Sequence, residues 1–344
     1  PSAQAEGALC SCPVTAEALT GALHAMAQQG NTPFGVYVTS PDYLGGVQDI
    51  PALAAVCRAQ GVPLLVDNAH GAYLRFLPQN CHPIAQGAAM CCDSAHKTLP
   101  VVTGGAYLHL AHDAPVLNEA AVRGALALFG STSPSYLILQ SLDACNAVLA
   151  GDYPRRLVQC CVALEGLRRS LNKAAAARQC PVPLAVAGAQ QEPMKLTLDA
   201  AALGCTGTAL ADALRRAQLE CEYADPRYVV LMFTPENPPQ DYTRLQATLE
   251  QLLAAVPAGL PRPENRAGEF AALQQQAVQR CTIRQAVLGA QVRIPVHKAL
   301  GRVCAMPTVS CPPAIPVAVS GEEITPAAIA LMQRYGIEEL SVLR

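Results

Sequence analysis

Two short polar segments of the sequence contain residue types that could do chemistry together. One supplies the carboxylate of Asp67 and the imidazole of His70; the other supplies a hydroxyl, a second imidazole and an amine from Ser94, His96 and Lys97. Each segment directly follows an apolar run. The pattern predicts that both segments line one ligand site.

The chemistry that fits this set is that of a carbonyl cofactor with a pyridine ring. A lysine at a strand end forms a Schiff base with such a carbonyl if its amine is partly desolvated. A carboxylate on the far side would keep a pyridine nitrogen protonated through a charge-assisted hydrogen bond. Serine and histidine beside the lysine are suitable donors to a phosphate or a carboxylate. Together these demands describe pyridoxal phosphate.

Each residue taken alone also has an ordinary structural interpretation. Lys97 would be a surface lysine, and Asp67 would cap a helix or stabilise a turn. His70 and His96 would be polar residues with satisfied hydrogen bonds. The spacing by itself leaves these alternatives open.

The elements that must position the two segments form an alternating pattern. Short apolar strands are predicted at 35–39, 63–66 and 87–92, and helices at 15–29 and 50–60. Such alternation indicates an α/β fold with a parallel sheet. In such sheets ligands bind outside the carboxyl ends of the strands, so both polar segments are expected in one crevice.

The pattern changes after Gly104-Gly105. Helices dominate from 119 to 172, with a break at 130–134, and an α+β unit follows with strands at 195–198 and 228–233 around a helix at 207–218. A linker is predicted at 257–265, then helices near 269–278 and 325–335. We therefore predict three domains, at 1–150, 151–258 and 265–344.

Composition and charge exclude several classes of protein. The chain has 344 residues, 51% of them hydrophobic, so it is not a disordered chain. No apolar stretch approaches the roughly 20 residues of a membrane span. With 24 basic and 26 acidic residues the net charge is -2 and no long basic run occurs, so neither a membrane nor a nucleic acid is expected as a partner.

The 15 cysteines predict neither a disulfide scaffold nor a metal site. Their density is too low for the former, and none has the C-x₂-C spacing of a zinc site. No signal peptide is visible, so we expect a reducing compartment, the cytoplasm.

The segment Ser94-Ala-His-Lys97-Thr-Leu-Pro100 resembles the cofactor-lysine motif of the Orn/Lys/Arg decarboxylases, which are pyridoxal-phosphate enzymes of fold type I. The resemblance continues in order along nearly the whole chain. Its other segments are Val38–Tyr43, Asp67–Gly71, Ser131–Tyr136, Ser141–Asp143, Leu219–Glu222, Tyr228–Phe233, Cys311–Pro316 and Ser320–Glu322.

This resemblance implies a partial, aspartate-aminotransferase-like large domain, a small α+β domain and a C-terminal domain of the decarboxylase type. It implies that Lys97 binds pyridoxal 5'-phosphate covalently and that Asp67 pairs with the pyridinium nitrogen. Ser94 and His96 would contact the phosphate or the substrate, with His96 counted among the catalytic residues. His70 would touch the ring hydroxyl.

Two further assignments concern more distant residues. By the same resemblance, Thr132 and Ser133 would reach the phosphate bound by a neighbouring subunit, because these enzymes build their sites at dimer interfaces. A homodimer or larger homo-oligomer is therefore expected. Glu322 would bind the distal cation of a basic amino-acid substrate, although a loop glutamate exposed to solvent is an alternative.

The sequence also departs from the family pattern. The Gly/Ser-rich phosphate loop and the residue that stacks on the cofactor ring are not visible, so we expect the N-terminal part of the large domain to be missing. Ala314 and Ser320 stand where glycine and proline are expected.

The function implied is decarboxylation of arginine, lysine or ornithine. An inactive homologue that dimerises with or regulates an intact enzyme, and an aminotransferase or lyase on the same scaffold, are the alternatives.

Overall fold

A four-stranded sheet forms the centre of the first half of the chain. The computed structural model describes residues 13–114, 118–188, 190–257, 259–261, 263, 273, 276–306, 308–310 and 315–344. The strands are β1 (Val36–Thr39), β2 (Leu64–Asp67), β3 (Met90–Asp93) and β4 (Tyr107–Leu110), in that spatial order. Neighbours among β1, β2 and β3 are parallel, and β4 runs antiparallel to β3. The predicted α/β fold is confirmed.

One strand begins later than predicted, and another was not predicted. Residues 83–86 form a short 3-10 helix that ends at Gly87, whose φ of 105° favours glycine, so β3 begins only at Met90. The four-residue strand β4 follows Gly104-Gly105, where the α/β pattern of the sequence changes.

Two helices cover one face of this sheet. They are α1 (Ala16–Gln28) and α2 (Ile50–Ala59), both close to their predicted limits. The side chains of Thr15 and Asp49 cap them by accepting backbone N–H bonds. The core between sheet and helices contains Leu19, Leu23, Val38, Ile50, Leu53, Leu64, Val66 and Cys91.

A single-turn helix, α3 (Ala95–Thr98), directly follows β3. The helical region predicted from 119 to 172 contains three helices in the described structure, α4 (Glu119–Phe129), α5 (Tyr136–Ala150) and α6 (Tyr153–Ala177). The predicted break at 130–134 separates α4 from α5. A second break at Gly151-Asp152 was not predicted, and α6 extends beyond residue 172.

A second, antiparallel sheet follows in the order β5 (Lys195–Asp199), β7 (Tyr228–Met232), β6 (Tyr223–Ala224). Helix α7 (Gly207–Arg216) joins β5 to β6, and α8 (Pro239–Ala254), which was not predicted, packs on α6. One continuous core spans both halves of the chain, because Tyr73 and Leu99 share it with Leu157 and Leu249. The predicted boundary at 150/151 therefore crosses a shared core.

The C-terminal section has its own core, which includes Val296, Cys304, Ile324, Met332, Leu340 and Val342. Its elements are α9 (Ile283–Leu288), β8 (Gln291–Pro295), β9 (Thr308–Ser310), β10 (Ile315–Ala318), α10 (Pro326–Arg334) and β11 (Glu339–Leu343). β11 pairs antiparallel with β8, and β10 with β9. The final helix matches its prediction. The helix predicted near 269–278 lies mostly outside the described residues, the linker predicted at 257–265 lies outside them in part, and Ala314 is not among them.

The loop that follows β1 is held against β5. Lys195 Nζ donates to the backbone oxygens of Asp42 at 2.8 Å and Tyr43 at 3.3 Å. Thr197 Oγ1 donates to the Leu44 oxygen at 2.7 Å. These bonds fix the end of the first sheet on the second. Within the described part of the chain, no helix is both long and apolar enough to cross a membrane.

We expect Leu249→Ala to destabilise the fold by about 2 to 5 kcal/mol, because it opens a cavity in the core between α6 and α8. The Leu249 side chain is fully buried. Leu288→Ala is the matched control, since Leu288 is 73% exposed, and should cost less than about 0.5 kcal/mol. Urea unfolding of the full chain measures both changes. Equal destabilisation by the two substitutions would contradict the packing described.

Candidate active site

The two polar segments meet at the carboxyl edge of the first sheet. Asp67 is the last residue of β2 and pairs in register with Cys92 of β3. The strand pairing extends one residue further, because the Asn68 N–H donates to the Cys92 oxygen at 2.9 Å. The chain that follows β2 and the helix that follows β3 therefore leave the sheet side by side.

The closest contact between the segments joins Lys97 to His70. Lys97 Nζ lies 3.4 Å from His70 Nε2. Lys97 is half-buried on the single turn of α3, and His70 is buried. Gly71, the residue after His70, packs closely against Asn68, because a Cβ at that position would overlap Asn68 Oδ1.

His70 is a neutral imidazole in this position. Burial, with the positive charges of Lys195 and Lys97, lowers its pKa to about 2. An ammonium offers only donors, so His70 Nε2 accepts from Lys97 and His70 Nδ1 carries the proton. Within the described structure that buried Nδ1 has no hydrogen-bond partner. The site therefore contains a buried N–H group that lacks an acceptor.

A group of three residues that the sequence analysis did not assign to the site lies beside His70. The Tyr43 ring packs edge-on against the His70 ring, with centroids 4.9 Å apart. The Tyr43 hydroxyl donates to Glu222 Oε1 at 2.8 Å, and Lys195 Nζ lies 5.5 Å from the Tyr43 ring centroid. Tyr43 and Glu222 belong to segments that resemble the family, but no local pattern pointed to Lys195.

Asp67 is a carboxylate with donors on both oxygens. Its Oδ1 accepts from the Ala69 N–H at 3.0 Å, and its Oδ2 accepts from the Tyr37 hydroxyl at 3.1 Å. Burial and the nearby Asp67 charge raise the pKa of Tyr37 to about 12, so Tyr37 remains a donor at neutral pH. The Cys92 thiol also donates to Oδ1 at 3.9 Å, whereas Oδ2 still has a second lone pair for another donor.

His96 and Ser94 lie on either side of the first residue of α3. His96 Nδ1 lies 2.9 Å from the Gly105 carbonyl oxygen, which also accepts the His96 backbone N–H. A carbonyl only accepts, so Nδ1 carries the ring proton and Nε2 is left as an acceptor. Ser94 occupies the N-cap position of α3, but its side chain makes no capping bond.

The remaining predicted residues are not part of this group. Thr132 and Ser133 lie in the exposed loop between α4 and α5. Glu322 Oε2 accepts from the Val319 N–H at 3.0 Å within its own loop. No hydrogen bond among the described residues links these three to Lys97 or Asp67. Their assigned roles stay predictions.

The residues present fit pyridoxal phosphate. The amine of Lys97 can bind an aldehyde, and the Asp67 carboxylate can accept from a pyridinium N–H. The orphaned His70 Nδ1–H matches a ring oxygen as acceptor. Because all three groups come from one sheet edge, the fit does not depend on the more distant residues.

This chain is similar to known proteins over most of its length. The major domain of the Orn/Lys/Arg decarboxylases matches residues 7–240. Among curated Bacillus subtilis (strain 168) proteins, the uncharacterized protein YaaO is 29% identical over 310 residues, covering 87% of this chain and 61% of YaaO. An arginine decarboxylase is 27% identical over 299 residues, covering 85% of this chain and 59% of that protein.

A solved structure shows the same fold. The Francisella novicida lysine decarboxylase LdcF matches with a TM-score of 0.71 at 17% identity, over 96% of this chain and 60% of that chain. The chain thus spans about 60% of the length of the relatives described. The fold is that of fold-type I enzymes, for which pyridoxal phosphate is the cofactor. Because the match to the major domain covers more than half of this chain, the chain belongs to the Orn/Lys/Arg decarboxylase family.

Proposed function

We propose that this chain carries the catalytic lysine of a pyridoxal-phosphate-dependent decarboxylase that acts on arginine, lysine or ornithine. The observation that carries the proposal is the contact of Lys97 Nζ with the neutral, buried His70 ring. Membership of the family supports decarboxylation as the reaction. A basic substrate is supported by the resemblance and by the names of the relatives.

The bound cofactor supplies an electron sink for the electron pair that the departing carbon dioxide leaves on the α carbon. The chain's own residues prepare the site for it. Lys97 would hold the cofactor covalently through its amine, which lies beside the acceptor nitrogen of His70 in the free chain. Since His70 stays neutral, it adds no positive charge that would repel the neighbouring Lys97 amine in its charged form.

Asp67 holds a proton on the cofactor's ring nitrogen. A carboxylate beside that nitrogen stabilises its protonated form and so keeps the ring electron-deficient. The Tyr37 hydroxyl and the Ala69 N–H orient the carboxylate from the protein side. His70 Nδ1–H is available to donate to an oxygen on the ring.

Four other residues have proposed roles in binding the cofactor or the substrate. Ser94 and His96 are proposed to contact the phosphate or the substrate from the start of α3, His96 through its free Nε2. Thr132 and Ser133 are proposed to serve the site of a second copy of the chain, because their exposed loop is accessible to one. This proposal entails a homodimer.

Glu322 is proposed to bind the distal cation of the substrate. Its Oε2 already accepts the Val319 N–H, and its Oε1 is left for a cation in the described structure. Glu322→Gln would then weaken binding of a basic amino acid and leave cofactor binding intact.

Reduction with borohydride tests the role of Lys97. We expect the full chain mixed with pyridoxal phosphate to give one stable pyridoxyl adduct, on Lys97, because its amine lies next to a neutral acceptor. Lys97→Ala should lose the adduct, and Lys173→Ala, at an exposed lysine, should keep it. Peptide mass mapping locates the label. Labelling spread over surface lysines would contradict the assignment.

Asp67→Asn should lower the rate of decarboxylation by on the order of 10²-fold, because the charge that stabilises the ring proton is lost while the shape is kept. Asp113→Asn, at an exposed aspartate, is the control and should leave the rate unchanged. The rate is measured as amine product by mass spectrometry. Amino-group transfer without loss of carbon dioxide would instead support an aminotransferase, and absence of any product an inactive homologue.

The neutral state of His70 makes stability depend on pH. Its pKa is about 2 when folded and near 6.5 when unfolded, so the unfolded chain binds the extra proton as pH falls below 6.5. This group therefore contributes stability above pH 6.5 that is lost progressively as pH falls towards 2. Between pH 7.5 and 5 the loss should be about 2 kcal/mol.

We expect His70→Gln to remove the decrease in unfolding free energy that His70 causes as the pH falls. His297→Gln, at an exposed histidine, should retain that decrease. Urea unfolding of the cofactor-free chain at several pH values measures the difference. The same pH dependence in all three proteins would show that His70 titrates normally in the folded chain.

A further inference from the structure

We propose that His82, Asp93 and His109 form a binding site for a divalent transition-metal ion of the zinc class. Cys92 is the register partner of Asp67, and Asp93 is the next residue of the strand, so the site lies on the face of the first sheet opposite to Asp67. It goes beyond the decarboxylase proposal and does not rest on it, because metal binding is measured without the cofactor.

The three side chains converge on one point. His82 Nε2 lies 3.0 Å from Asp93 Oδ2, and His109 Nε2 lies 2.9 Å from the same oxygen. One ligand atom from each residue lies within 4.8 Å of the other two. Tetrahedral zinc with bonds of about 2.0 to 2.2 Å places its ligand atoms roughly 3.3 to 3.6 Å apart. The two His–Asp distances must therefore open by a few tenths of an ångström, and the separation of the two histidine nitrogens, which is at most 4.8 Å, must close by up to about 1.5 Å to admit the ion.

Separate elements hold each ligand. Asp93 ends β3, His109 lies in β4 directly opposite Cys91, and His82 precedes the 3-10 helix at 83–86. His82 and Asp93 are buried, whereas the His109 side chain is 38% exposed and offers an entry path. Two imidazoles and one carboxylate are a ligand set typical of zinc sites that keep an open position.

The surroundings also suit a metal ion. Asn68 Nδ2 donates to Asp93 Oδ1 at 2.7 Å and leaves Oδ2 to face the histidines. Such outer bonds orient metal-binding carboxylates. Burial opposes ionisation of Asp93, but the bonds from His109, His82 and Asn68 outweigh it and hold its pKa well below the ordinary value. A negative charge is thus kept in a buried position.

Binding would rearrange the protons of the cluster. Without metal, both histidines donate an Nε2–H to Asp93 Oδ2. A metal ion takes the place of those two protons, and each ring proton moves to Nδ1. The weak bond that His82 Nδ1 accepts from the Ile84 N–H at 3.4 Å would then be lost. The cost is three hydrogen bonds, the two that Asp93 Oδ2 accepts and the one at His82 Nδ1, against three coordinate bonds.

The prediction of no metal site rested on cysteine spacing. That criterion could not find this cluster, because the ligands are 11 and 16 residues apart and lie on three elements. Only the antiparallel pairing of β4, which was not predicted, brings His109 to Asp93.

Metal titration of the full chain tests the proposal. The chain is stripped with chelator, dialysed, and titrated with Zn²⁺ in competition with a chromogenic chelator. The wild type should bind one more Zn²⁺ per chain than His109→Gln, or bind that ion at least about tenfold more tightly. His112→Gln, at an exposed histidine three residues along the chain, is the matched control and should behave as wild type. Because these proteins all keep the same cysteines, a difference in zinc binding between them cannot come from zinc held elsewhere by thiols.

A second variant and a second readout guard against misfolding. Asp93→Asn keeps the shape of the side chain and removes its charge, and it should lose the same ion. Co²⁺ should give visible d–d absorption bands in the wild type and His112→Gln but not in His109→Gln or Asp93→Asn, with circular dichroism confirming the fold. Equal Zn²⁺ binding and equal Co²⁺ spectra in all four proteins would show that the cluster is a hydrogen-bonded network only.

Discussion

The buried ammonium of Lys195 determines where the first sheet meets the second. A charge removed from water is costly unless it is hydrogen-bonded, and burial accordingly lowers the pKa of this lysine. The carbonyl oxygens of Asp42 and Tyr43 satisfy it. Because these carbonyls belong to the loop after β1, that loop cannot move without exposing an unsatisfied charge. The Tyr43 ring, which packs on His70, is held in place by the same bonds.

The constraint extends from Lys195 into the long helix α6. The Arg168 guanidinium donates to the carbonyl oxygens of Lys195 and Pro193, and Glu192 accepts from the buried Tyr73 hydroxyl. Tyr73 follows the segment that carries His70. A chain of buried polar contacts thus links both sides of the candidate site through the second sheet. Buried polar contacts of this kind are strong and costly to break, which favours one relative position of the two sheets.

Sequence patterns predicted the parts of the fold that rest on local periodicity. Strands β1 to β3 and helices α1 and α2 are apolar runs bounded by turn residues, and each is present. Strand β4 was missed because four residues after a Gly-Gly pair carry little periodicity. The Leu245, Leu249 and Leu253 spacing of α8 was available but lies among polar residues.

The candidate site was likewise predicted only in part. Asp67 and Lys97 follow predicted strands, so their proximity could be anticipated from the parallel sheet. The partners of these residues could not, since Lys195 lies 153 residues from Asp42 and Glu222 lies 179 residues from Tyr43. Contacts of that separation leave no periodic trace in a single sequence. The resemblance identified the segments, and only the fold showed which side chains touch.

The burial of the cysteines has a practical consequence for handling this protein. All twelve cysteines in the described part of the chain are free thiols, and burial raises the pKa of most of them, Cys57, Cys145 and Cys161 among them. The thiolate is the form that alkylating agents and peroxides attack. The buried thiols, Cys57, Cys91, Cys145 and Cys160 among them, should therefore react slowly with iodoacetamide while the chain is folded and rapidly once it is denatured, which makes their labelling a convenient measure of the folded fraction.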